Sequence, residues 1–219
     1  MEHRLHADLT PEQALALANS RSDLRPALAC YFALDRRLGQ VVTNTSEPML
    51  GQMRLAWLRD MLGRPRAERP SGDAVLDAVG MHWAGDEEPL LFLVDAWEGF
   101  LVTESLSSIE AALFCRRRTQ PLKHLAKKIG SGGGARVHVA SIRWAAAETA
   151  LRLSRDDERR AMIAAGTVGL VGSKSIPRAL RGIGVLEALA MRSLKRGGRP
   201  LMEGRAAALI ALRVGLLGR

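Results

Sequence analysis

The side chains of this chain that suggest chemistry are mainly carboxylates and arginines. Asp73 and Asp77 are four residues apart, which would place both carboxylates on one helix face, as oxygen ligands of Mg²⁺ require. A second acidic group is Asp156–Glu158. Each group also has a structural interpretation, Asp73 as a helix N-cap and Asp156–Glu158 as charges at a helix start. We favour the structural interpretation for both and predict no metal ligands.

Cysteine and histidine chemistry has little support in the sequence. The only two cysteines, Cys30 and Cys115, cannot form a disulfide framework, and no Cys/His group has the spacing of zinc ligands. No Ser/His/Asp or Cys/His arrangement can be assigned from the order of the residues. We therefore name no catalytic residue.

Composition limits the class of protein. The 219 residues are 47% hydrophobic and 25% charged, which is ordinary for a folded domain, and aromatic residues make up only 4%. Abundant Ala, Leu and Arg favour helices. The first ten residues, MEHRLHADLT, lack the apolar core of a signal peptide, and no stretch of about 18 uncharged apolar residues is present. These features predict a cytoplasmic protein.

Positive charge is concentrated toward the end of the chain. Residues 174–219 contain ten Lys and Arg against two Asp and Glu, a net +8 within a total of +9. Basic residues alternating with apolar ones are typical of segments that lie on anionic membranes. We predict contact with an anion or with an anionic inner-membrane surface through Arg192, Lys195, Arg196 and Arg199; the alternative is an ordinary solvated helix face. Scarce aromatic residues and missing zinc-finger spacing argue against nucleic acid.

Capping residues and apolar periodicity predict where the helices of this chain begin and end. Thr10 and Gln13 form a candidate capping box, and periodic apolar residues predict a second helix from about Asp23 to Val41. A third helix is expected from about Glu47 to Gly63. No segment alternates with period two over five residues, so we predict an all-α fold, a single helical bundle spanning residues 1–219. The predicted buried residues include Leu28, Tyr31, Leu55, Trp57, Leu91 and Trp97.

The most distinctive stretch, from Ser46 to Asp60, is SEPMLGQMRLAWLRD. It resembles a segment of the squalene/phytoene synthase family, in particular its non-carotenogenic bacterial branch and the related mitochondrial complex I assembly factors. Leu28–Val42 is similar to the region of the family's first aspartate-rich helix, and Ile176–Gly197 is similar to its closing segment. The resemblance implies a bundle of the isoprenoid-synthase type, here somewhat trimmed.

The family's metal motifs are not retained. Active members condense prenyl diphosphates and hold Mg²⁺ with D-x-x-x-D motifs on two facing helices. In this chain Leu38 and Val42 stand where the first pair is expected, and Val137–Leu153, which matches the second helix, contains one acid, Glu148. The resemblance therefore implies that both magnesium motifs are missing. We expect no cofactor; Mg²⁺ would be needed only by an active transferase.

By the same resemblance, a ligand site would use Tyr31, Asp35, Arg54, Trp57 and Arg59. We predict that Arg54 is at least partly buried and paired with a carboxylate, because an inward-pointing arginine needs an acid or a phosphate. The candidate partners for the two arginines are Asp35, Glu47 and Asp60.

Three functions remain open at this point. The leading prediction is a non-catalytic protein that binds a prenyl lipid or prenyl diphosphate, or a subunit of a respiratory complex during its assembly, peripheral to the inner membrane. The first alternative is an active prenyl diphosphate transferase that uses unconventional acids. The second is a plain helical adaptor with a filled cavity. Carboxylate pairs facing each other across an open cavity would favour the transferase.

Overall fold

The structure, a computed structural model, describes residues 9–45, 47–130, 133–167 and 175–218. All regular structure in these ranges is helical, without a strand, which confirms the all-α prediction. No helix there is both long and apolar enough to cross a membrane. The α-helices, in order, are α1 (Pro11–Ala18), α2 (Arg25–Thr43), α3 (Pro48–Gly63), α4 (Ala74–His82), α5 (Glu88–Val102), α6 (Ser108–Arg118), α7 (Gln120–Lys128), α8 (Gly134–Ala150), α9 (Asp156–Thr167), α10 (Arg181–Lys195) and α11 (Arg205–Leu217).

Local capping signals in the sequence are confirmed. The Gln13 backbone N–H donates to Thr10 Oγ1, and the Thr10 N–H donates to Gln13 Oε1 at 3.1 Å, which completes the capping box of α1. Asp73 caps α4 by accepting hydrogen bonds from two backbone N–H groups at 3.1 Å. Asp156–Glu158 occupy the first turn of α9. Both acidic groups therefore have the structural roles that were favoured for them.

Two buried helices, α2 and α8, organise the core. Helix α2 packs on α1, α3, α4 and α5, whereas α8 packs on α6, α7, α9 and α10. The two groups are also in contact through the packing of α5 on α6. Between them, Tyr31 and Phe32 of α2 meet Trp144 of α8, with ring centroids 6.4 and 5.6 Å apart. The aromatic side chains of α2 and α8 therefore meet in the core and join the helices that pack on α2 to those that pack on α8.

Most of the predicted core is confirmed. Leu28, Tyr31, Leu55 and Trp97 are buried, and Leu91 is half-buried. The prediction for Trp57 is wrong, because its side chain is 42% exposed. The buried face of α3 is formed by Gly51, Leu55, Leu58, Met61 and Leu62, and residue 57 lies off that face because each helical residue advances by about 100°.

Candidate functional site

A buried ionic cluster lies between α2 and α8. It consists of Asp35 in α2, Arg118 at the end of α6 and Glu148 in α8, and we call it the Arg118 cluster. Arg118 Nε and Nη2 donate to the two carboxylate oxygens of Asp35 at 2.9 and 2.7 Å. Nη2 also lies 2.9 Å from Glu148 Oε2. One guanidinium group thus joins two carboxylates, and the side chains of Arg118, Asp35 and Glu148 are only 2%, 3% and 8% exposed.

Neighbouring polar groups complete this arrangement. Trp97 Nε1 donates to Asp35 Oδ1 at 2.9 Å, and Arg118 Nη1 donates to Thr149 Oγ1 at 2.8 Å. The Tyr31 hydroxyl donates to the backbone carbonyl of Arg118 at 3.2 Å. Both ends of the Asp35–Arg118 pair are therefore fixed by hydrogen bonds, which a buried ion pair needs in order to offset its desolvation.

Aromatic rings enclose the guanidinium group. Its central carbon lies 5.2 Å from the ring centroid of Trp97, 5.1 Å from that of Trp144 and 5.7 Å from that of Phe114. Cation–π contacts are worth up to about 2 kcal/mol when they are shielded from water. The rings therefore help to hold the charge of Arg118 at a fixed position inside the bundle.

Arg118 and Glu148 of the cluster carry opposite charges at neutral pH. Burial favours a raised pKa for Glu148, but the positive charges of Arg118 and Arg152 outweigh it and hold that pKa below its usual value. Burial opposes the charge of Arg118, whereas Asp35 and Glu148 favour it, and its pKa lies well above the usual value. The pKa of Tyr31 is also well above its usual value, chiefly through burial. Tyr31 therefore stays a neutral hydrogen-bond donor.

The residues between α2 and α8 do not fit a magnesium–diphosphate site. Leu38 is buried in the core and Val42 is half-buried, so neither position offers an oxygen ligand. The two acids that do face each other, Asp35 and Glu148, share the guanidinium group of Arg118. The cavity beside them measures about 20 Å³, which is space for about one water molecule. In the described ranges, no three His, Cys, Asp or Glu side chains are grouped as metal ligands.

The five predicted ligand residues lie in three places. Asp35 belongs to the Arg118 cluster, and the Tyr31 hydroxyl donates to the backbone carbonyl of Arg118. Arg59 joins α3 to α5, with Nη2 2.5 Å from a carboxylate oxygen of both Asp95 and Glu98. The remaining two, Arg54 and Trp57, lie on the outer surface of α3. The structure therefore does not bring the five together into one site.

The prediction that Arg54 is buried and paired is wrong. Its side chain is exposed, and it forms no hydrogen bond or ion pair within the described residues. Two of the three acids predicted as partners are engaged elsewhere, Asp35 with Arg118 and Asp60 with Arg64 at 2.6 Å, and the third, Glu47, forms no ion pair with Arg54. Arg54 is next to Leu55, whose side chain points into the core, so residue 54 faces outward.

A surface groove follows the contact between α2 and α3. Its volume is about 370 Å³. Within it, Arg37 pairs with Asp73 at 2.7 Å and lies 5.9 Å from the ring centroid of Trp57. Arg54 supplies a positive charge that no described carboxylate balances. The groove is therefore mostly apolar, with one uncompensated cation, and its lining residues are Arg37, Val41, Leu50, Met53, Arg54, Trp57 and Leu58.

The four basic residues predicted to meet an anion do not form one free patch. Arg196 and Arg199 both pair with Glu203, at 2.8 and 3.2 Å. Arg192 is half-buried, and Lys195 is exposed. The shared carboxylate reduces the charge that this segment presents to a partner.

The residue that sequence reasoning missed is Arg118. It ends a run of three arginines that is typical of a solvated helix end, yet it is 2% exposed. A signal was available, because Arg118 follows the buried residues Ala111, Phe114 and Cys115 by seven, four and three positions, the spacing of one helix face. Its two acidic partners lie on other helices, far from it along the chain, and no local pattern in the sequence points to them.

Comparison of the chain with protein-family models, with curated proteins and with solved structures gives no match. The fold and the site define an all-α bundle whose centre is closed by an arginine held between two acids. The resemblance of residues 46–60 to the squalene/phytoene synthase family stays a prediction from the sequence.

Proposed function

We propose that this protein is a non-catalytic helical bundle that binds an anionic prenyl lipid in the groove between α2 and α3. The observation that carries the proposal is the groove itself, which combines exposed apolar side chains with the guanidinium group of Arg54, a cation that no described carboxylate balances.

The Arg118 cluster argues against transferase chemistry in two ways. Each acid on the facing helices is already neutralised by a cation of the protein itself, so neither has a free pair of oxygens for a metal–diphosphate complex. A cavity of about 20 Å³ is also far smaller than the roughly 300–1,000 Å³ of ordinary ligand pockets. Both observations favour a protein without transferase activity, in which the space between α2 and α8 is part of the core.

The groove has the chemistry that an anionic lipid requires. Its volume of about 370 Å³ lies at the lower end of the range for ligand pockets, roughly 300–1,000 Å³. Leu50, Met53 and Trp57 offer half-exposed apolar surface for a prenyl chain. The guanidinium group of Arg54 can form paired hydrogen bonds to a phosphate, the geometry for which arginine is best suited.

Binding of farnesyl diphosphate is expected to change the fluorescence of Trp57, because the other three tryptophans, Trp83, Trp97 and Trp144, are buried. Arg54→Gln should weaken this binding about tenfold or more, because a hydrogen bond to a charged group contributes about 1.5–3 kcal/mol. The measurement is a fluorescence titration of the full chain with farnesyl diphosphate.

Arg116→Gln is the matched control, because Arg116 is an exposed helical arginine whose side chain also has no hydrogen bond or ion pair among the described residues. It should bind as the unmodified chain does. Farnesol should bind more weakly than farnesyl diphosphate, since it has no phosphate for Arg54. An unchanged fluorescence signal, or equal affinities for the two variants, would reject the groove as the lipid site and would favour the helical adaptor.

A further inference from the structure

Helix α11 carries an apolar face that nothing in the described part of the chain covers. Leu209, Leu212 and Leu216 are 67%, 59% and 68% exposed. Their spacing of three and four residues places them on one side of the helix. Ala207 and Ala211, on the opposite side, are buried where α11 packs on α10.

The same side of α11 is positively charged. Arg205 lies four residues before Leu209, on the same face, and Arg213 is one position from Leu212. Both arginines are exposed, and neither forms a hydrogen bond or ion pair within the described residues. From Arg205 to Arg219 the sequence contains three arginines and no Asp or Glu.

We propose that α11 docks the protein on an anionic lipid surface, with the three leucines entering the boundary between headgroups and acyl chains. Leucines flanked by arginines are suited to this boundary. The leucine side chains leave water among the acyl chains, and the guanidinium groups contact the lipid phosphates. A helix of 13 residues presents a stripe about 20 Å long, which a planar surface can contact along its whole length. This proposal does not depend on the groove between α2 and α3.

Charge disfavours a second copy of the chain as the occupant. Pairing two α11 faces would bring four arginines together, and α11 has no carboxylate to balance them. The surface also differs from the four basic residues predicted from the sequence, because two of those, Arg196 and Arg199, are paired with Glu203. Arg205 and Arg213, which have no ion pair among the described residues, lie on α11 itself.

Co-sedimentation of the full chain with vesicles of phosphatidylcholine, with and without phosphatidylglycerol, tests this proposal. We expect binding to the vesicles with phosphatidylglycerol that weakens as salt rises. Leu212→Gln combined with Leu216→Gln should lower the partition coefficient about tenfold or more, because each substitution removes apolar surface that the bound protein would bury in the lipid. Arg205→Gln combined with Arg213→Gln should lower it about fivefold for each arginine at low salt.

The control combines Met81→Gln with Ile109→Gln, two apolar residues of α4 and α6 that are 52% and 78% exposed. It should bind vesicles as the unmodified chain does, and so should Arg116→Gln, which removes an exposed arginine that lies outside α11 and outside the groove. Equal partition of the leucine variant and the control would overturn the proposal. Equal binding to both kinds of vesicle would overturn it as well, as would a concentration-dependent dimer in sedimentation velocity that the leucine variant abolishes.

Discussion

Replacing Arg118 with methionine is expected to lower the free energy of unfolding by about 3–5 kcal/mol, the cost of breaking a buried ion pair by removing one partner. Methionine keeps much of the length and apolar volume of arginine. It leaves Asp35 and Glu148 buried without the cation that both share. The measurement is urea denaturation of the full chain followed by circular dichroism.

Two further variants separate charge from packing in that experiment. Arg155→Met removes an arginine that pairs with Asp157 on the surface, both side chains being more than half exposed, and should cost at most about 1 kcal/mol. Adding Asp35→Leu and Glu148→Met to Arg118→Met should recover much of the loss, because none of the three charges of the cluster then remains. Equal stabilities of Arg118→Met and Arg155→Met would contradict the assignment of a buried, ion-paired cluster.

Truncating Trp144 is expected to have an effect of similar size, about 3–5 kcal/mol for Trp144→Ala. Trp144 is fully buried, meets the rings of Tyr31 and Phe32, and lies 5.1 Å from the guanidinium carbon of Arg118. Its removal opens a cavity at the contact between α2 and α8 and also takes a cation–π partner from the cluster. Urea denaturation measures the loss.

Trp57→Ala is the matched control, because the same truncation at a 42% exposed position leaves no buried cavity. It should change the stability by much less than Trp144→Ala. Trp144→Phe should also cost much less, because it keeps a ring and removes an indole N–H that is buried without an acceptor in the described residues. A loss for Trp144→Ala no larger than that for Trp57→Ala would show that the centre of the bundle is not packed as described.

Local features of the fold were predictable because their signals are short in sequence. The Thr10–Gln13 capping box and the Asp73 cap each depend on residues within three positions, and both are present. The helices that carry Asp35 and Glu148 were predicted from about Asp23 to Val41 and from Val137 to Leu153, and they lie at Arg25–Thr43 and Gly134–Ala150. Both helices were therefore predictable from the sequence to within a few residues.

The pairing of Arg118 with Asp35 and Glu148 was not predictable in the same way. Arg118 is distant along the chain from both Asp35 and Glu148, so its pairing is set by the packing of α6 against α8 and by the rings around it. The sequence offered Arg54 and Arg59 instead, because the stretch from Ser46 to Asp60 is the most distinctive of the chain. A distinctive stretch does not indicate which of its side chains point inward, and α3 turns Arg54 toward solvent.

The guanidinium group of Arg118 occupies the two acids that face each other from α2 and α8, so we expect no magnesium-dependent chemistry on prenyl diphosphates at this place. Incubation of the full chain with geranylgeranyl diphosphate and Mg²⁺, followed by measurement of released diphosphate, tests this claim most directly. We predict no release above that of the same mixture without protein, and none from Leu38→Asp combined with Val42→Asp, since the second carboxylate helix still lacks its pair. Release that rises with protein concentration and disappears in Asp35→Asn would contradict the claim.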